Sequence, residues 1–185
     1  MKYLASAIIL TAIIMVSFSM ESCNKNTNQA VAGGASAKDT WTIIQDKILT
    51  PSCATSGCHA STSDANYVQH NLLLTSATAY DNLINSISKN TAAKAAGLVR
   101  VKPGDHMNSF LFQKIDCQTT TQFGALMPLG GPNLTLGQIE FIKQWIMKGA
   151  PKKGSVVDET ILANTTVCTK ILYPCRHPPL QKDFN

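Results

Sequence analysis

The chain has 185 residues, 44% hydrophobic and 15% charged, and 16 basic against 11 acidic side chains give a formal charge of +5. That length suits one modest core and is short for two domains. The basic residues stand singly or in pairs, so the surface reads as solvated and mildly basic, without the run that a nucleic-acid groove or a polybasic membrane patch requires.

Six cysteines in a chain of this size point to an oxidising compartment, where thiols end in disulfides or on a cofactor. Residues 1–22 agree: Lys2 supplies a positive n-region, an apolar run extends from Tyr3 to Phe18, and small polar residues precede Cys23. A segment of this length can also remain as a membrane anchor. Ser22 directly before Cys23, and the abrupt change to polar NKNTNQAVAGGASAKD, favour cleavage of an export signal. The stretch SMESC resembles a bacterial lipobox, with Met20 where Leu is commoner; it implies acylation of Cys23 and makes residues 23–39 a flexible tether.

After the tether, Asp39 or Thr40 can cap a helix over 40–48, with Trp41, Ile44 and Ile48 on one face and Pro51 as its stop. This helix delivers the chain to CATSGCH, residues 53–59. STSDANYVQHN reads as loop, and Tyr80, Leu83, Ile84 and Ile87 predict a helix over about 77–89. A Pro103–Gly104 turn and an Asp105 cap introduce a helix over 106–115 carrying Met107, Phe110, Leu111 and Lys114. The clearest helix lies over 135–148: Thr135 and Gln138 form a capping box, Ile139, Ile142, Trp145 and Ile146 make the stripe, and Gly149 and Pro151 end it. No repeat and no alternating strand pair appears, so the expected fold is small and all-α, with about four helices and long loops. So little helix needs something to fill the middle, as a buried cofactor would. Residues 152–185 show no helical period and read as an extended wrap pinned by a disulfide.

CATSGCH places a histidine directly after the second of two cysteines. Covalent haem needs two thiols to reach two vinyl groups while the following imidazole faces the iron. Residues five apart on a continuous helix sit about 140° apart around its axis, so Cys53 and Cys58 would not share a face. The four residues between them must loop out, and Gly57, with Thr55 and Ser56, suits a turn. Two other chemistries stay open: a Cys53–Cys58 disulfide, and a zinc knuckle, for which CRH at 175–177 is a poor second half. For an opposite iron ligand, Met127 before Pro128 offers a soft thioether in extended backbone, with His70, His106 and Met107 as further candidates. His177 reads as a surface residue of the tail.

The order of short helix, C-x4-C-H, central helix, PGD, MP and a last helix ending WIMKGAP resembles a bacterial class I cytochrome c domain, in particular the lipoprotein-associated mono-haem type with C-x4-C-H attachment. The likeness covers about 40–151. It implies one covalently bound haem c, with Cys53 and Cys58 as thioether positions, His59 as proximal and Met127 as distal iron ligand, and terminal helices crossing beside the haem with Trp145 near it. The family pattern supplies neither the tail nor Cys117. Cys117, Cys168 and Cys175 are three thiols, hence one disulfide and one spare, with Cys168–Cys175 a possible pair.

The resemblance implies an electron carrier of the cell envelope, tethered to a membrane by lipid and serving redox partner proteins, with neither nucleic acid nor a small-molecule substrate. A haem peroxidase or gas sensor with an open distal site, and a disulfide-stabilised lipoprotein without haem, are the alternatives. No acid/base pair, nucleophile constellation or phosphate-cradling glycine loop stands out, so autonomous catalysis is not expected.

Overall fold

A computed structural model of the protein describes residues 37–118 and 121–169. The signal at 1–22, Cys23, most of the tether and Cys175 lie outside these residues. Within them all regular elements are helical, and β-structure amounts to isolated bridges such as Ile84–Val101, Ile87–Val99 and Val99–Ser109.

Helix α1 (Thr40–Ile44) starts at the expected place, but Asp39 caps no amide of the helix. Its carboxylate instead accepts the Gly154 N–H at 2.6 Å, and the buried Thr40 hydroxyl accepts those of Val156 and Val157. The start of the helix is thereby stitched to residues 153–157. The ladder then widens into a π-helical turn, Gln45–Leu49, before a last α turn, α2 (Thr50–Ser52). Pro51 was expected to stop the run, and the chain turns past it. Thr50 N–H already reaches back five residues to Gln45 O, so the donor that proline lacks falls at the start of a new turn, where none is needed.

Two short helices appear where loops were expected. The helix α3 (Ala65–His70) buries no residue and ends on Asn71 in the left-handed region, φ 50°. The helix α5 (Thr91–Ala95) is capped by Asn90, whose side chain accepts the Ala93 N–H. Conversely, the helix expected over 77–89 shrinks to α4 (Ala79–Leu83). Ile84 turns extended and bridges to Val101, which draws Ile87 out to 66% exposure. Likewise α6 spans Phe110–Ile115 instead of 106–115, because Ser109 bridges to Val99 and Asp105 caps the Asn108 turn. It buries Phe112 and Ile115, while Met107 stays exposed.

The last helix, α7 (Leu136–Met147), carries both bonds of the expected capping box and buries Ile139, Ile142, Trp145 and Ile146, together with Phe141. It packs on α1, where Trp41 and Trp145 lie 5.2 Å apart and Tyr80 of α4 closes the cluster edge-on to Trp41. Trp145 Nε1–H donates to Pro151 O and Tyr80 O–H to Ala150 O, so the buried tryptophan and the half-buried tyrosine keep their polar ends paired.

The segment 152–169 wraps across α7. Gly137 allows the close approach: a Cβ there would stand 2.7 Å from Asn164 O and closer still to Ile161 O. Thr135 bridges to Val167, and Val157 and Cys168 are buried in the main core. Cys168 pairs with Cys117, Cα to Cα 5.7 Å, instead of with Cys175. The correction has a simple cause: the wrap carries Cys168 back along α7 to the end of α6, across a sequence separation of 51 that spacing does not reveal.

Candidate functional site

Cys53 follows α2, with its N–H on Leu49 O at 2.9 Å. The chain then leaves the helix and closes a four-residue turn in which Cys58 N–H donates to Thr55 O at 3.0 Å. Gly57, at φ +80°, occupies the third position, the place where a type II turn needs a positive φ. The turn is how four residues between the cysteines are accommodated. Among the described residues neither thiol has a partner, and both are half-buried. Burial, with a smaller contribution from Cys58, pushes the Cys53 thiol up to about 11, so at neutral pH it is protonated and a poor thiolate for zinc or disulfide exchange.

The turn is pinned from one side. The Asp64 carboxylate accepts the N–H groups of Gly57, Ala60 and Ser61, and Asn66 donates to Gly57 O. These amides, Gly57 first, hold the Asp64 carboxyl below the usual range. Asp64 went unnoticed in the sequence because it looked like one more polar loop residue; its place at the N-cap of α3 is the signal that marks it.

His59 is gripped twice by the next segment. Its ring Nδ1 lies 2.9 Å from Leu72 O, and its own carbonyl accepts the Leu74 N–H at 2.9 Å. A carbonyl partner requires Nδ1 to carry a proton, and in the neutral ring that puts the lone pair on Nε2. This is the arrangement that metal-ligating histidines use to fix tautomer and ring orientation.

His70, at the end of α3, is held toward its neutral form, first by burial and then by the charges of His59, Lys114, Arg100 and Lys89. Arg100 is itself buried and donates to the carbonyls of His70, Asn71 and Asn82, each at 2.9 Å. It closes the C-terminal end of α3 beside the motif. An arginine inside the apolar stretch GLVRV is the sequence signal that was available for it.

Met127 is half-buried and donates its N–H to Lys114 O at 2.7 Å. Lys114 Nζ in turn donates to the carbonyls of Phe123 and Ala125. Lys114, one of the charges acting on His70, therefore also anchors the Met127 backbone. His106 and Met107 are placed elsewhere, on a surface cavity of about 520 Å³ lined by Leu136, Ile139 and Glu140 and not by the motif. Trp145 is fully buried against Trp41.

Among the described residues no group of three or more His, Cys, Asp or Glu side chains is gathered to hold a metal ion. An imidazole with a thioether sulfur is a different donor set. Nor, among the described residues, is any helix long and apolar enough to cross a membrane. Comparisons with family models, curated proteins and solved structures returned no match.

Proposed function

We propose that this chain is a mono-haem c-type cytochrome that carries electrons in the cell envelope. In this reading residues 40–151 form a cytochrome c-like fold of about four helices around the haem, exported by residues 1–22 and lipid-anchored at Cys23. The observation that carries the reading is the His59 ring, its Nδ1 bonded to Leu72 O, directly after a turn flanked by two thiols that have no partner among the described residues.

The residues fit the group. Cys53 and Cys58 would hold it, each adding its S–H across a vinyl group to form a thioether. His59 Nε2 would be the proximal ligand and Met127 sulfur the distal one. Bound haem supplies an iron that cycles between the ferric and ferrous states, one-electron chemistry that no side chain here provides. The chain's own part is to fix the His59 tautomer through Leu72, to keep the Cys53 thiol protonated, and to anchor Met127 through Lys114. A carrier of this kind serves redox partner proteins and has no need of a substrate pocket. The Cys117–Cys168 disulfide supports an oxidising compartment.

Expression of the full chain in a host with a haem-attachment system tests this. Haem that stays with the denatured polypeptide and a low-spin spectrum in the folded protein are expected. A haem-free chain overturns the reading, and a high-spin ferrous spectrum turns it toward an open-site peroxidase or gas sensor. Met127→Ala should open the sixth position and lower the reduction potential, since thioether ligation raises it.

A further inference from the structure

Gln45 is a buried polar residue that the proposed function does not use. It begins the π-helical turn between α1 and α2 and is 4% exposed, with the fully buried Ile44 and Ile48 beside it on the same segment. Its Nε2 donates to Thr50 Oγ1 at 3.0 Å and to Leu74 O at 2.9 Å, whereas Oε1 is buried without a hydrogen-bond partner among the described residues. Exchanging the amide's oxygen and nitrogen would set an acceptor against Leu74 O, so that carbonyl fixes the orientation. A buried orphan carbonyl is destabilising, which indicates that the amide is retained for its two donors.

One of those donors ends on the segment that grips His59. Leu74 N–H donates to His59 O, and two residues earlier Leu72 O receives the ring Nδ1. Residues 72–74 thus face the motif with two groups and the core with a third, the Leu74 carbonyl. The π-helical widening supplies the third contact, and widenings of this kind recur at functional sites.

We infer that Gln45 is a positioning residue for His59: its bond to Leu74 sets the 72–74 segment, whose Leu72 carbonyl orients the imidazole and keeps Nε2 free. The geometric part stands on the contacts above. Its redox consequence rests on the haem reading.

The test uses the full chain, isotope-labelled, in the state in which it is isolated, reduced if haem is present. In the wild type, through-hydrogen-bond couplings are expected from Gln45 Nε2 to the Leu74 carbonyl and from His59 Nδ1 to the Leu72 carbonyl. Absence of either overturns the inference without any variant. Gln45→Met keeps the length and removes both donors; Thr50→Val removes only the other partner. Gln45→Met should speed exchange of the Leu74 amide by about tenfold and move the His59 ring nitrogen resonances, whereas Thr50→Val leaves both near wild type. With haem attached, Gln45→Met should also raise the reduction potential, because a loosened Leu72 bond makes the imidazole less basic. Lower stability in Gln45→Met with unmoved His59 resonances, or equal effects in Thr50→Val, would reduce Gln45 to a packing residue. A chain without haem whose His59 resonances still respond to Gln45→Met sinks the haem reading and leaves this one standing.

Discussion

At the crossing of α1 and α7, Trp145 and Ile44 are fully buried, Trp41 nearly so, and Tyr80 closes the side. A few residues further along the same chain, the CATSGCH turn contains no fully buried side chain and hangs on hydrogen bonds that its Gly57 N–H and His59 ring give to Asp64 and Leu72 and that its Gly57 carbonyl receives from Asn66. The first region is held by non-directional packing, which tolerates small shifts as long as volume is filled. The second is held by directional bonds that fix a ring orientation and a turn. The contrast divides labour: stability resides in the aromatic cluster, and placement of reactive atoms resides at its rim.

The strongest test of that division removes the packing. Trp145→Ala should cost about 3–5 kcal/mol in urea unfolding, through lost burial and a cavity between Trp41 and Tyr80. If the folded variant retains the Leu72 bond to His59, core and rim are separable; if the ring is released first, they are not. Next is the Cys117–Cys168 link. Replacing both cysteines by Ala should cost about 2–4 kcal/mol, and the reductant dependence of wild-type unfolding should vanish in the variant.

The rim should answer with smaller changes. Gly57→Ala meets no atom within 4 Å of the added Cβ, so only its φ of +80° opposes it. A penalty of about 1–2 kcal/mol is expected by denaturant titration, with a redistribution of the turn. The smallest effect concerns Asp64, whose depressed pKa contributes stability that is present above the ordinary carboxylate range and lost as pH falls through the depressed value. Amide exchange at Gly57, Ala60 and Ser61 should quicken on acidification before global unfolding. Asp64→Asn should flatten that pH dependence, and a turn equally protected in the variant at all pH values would remove Asp64 from the site.

How far each part was legible follows the same physics. The helix α7 could be read because twelve residues carry their own stripe and capping box. The helix α3 has six residues and buries none of them. It owes its place to Asp64 before it and Arg100 at its end, partners that no local pattern announces. The run 77–89 had a good helical stripe, yet Val101 captured Ile84 into a bridge and ended α4 at Leu83. Local propensity lost there to a contact made across the chain.

By itself the amino-acid order determined the local features: the adjacency of Cys58 and His59, the glycine that lets CATSGCH turn, the capping box of Thr135 and Gln138, and the all-helical class. These depend on residues within one or two turns of each other. Tertiary structure alone decided which carbonyl receives the His59 ring, which amide in the core holds that carbonyl's segment, and that Cys168 meets Cys117. Those partners lie 13, 29 and 51 residues apart, and their meeting depends on how the whole chain closes over α7.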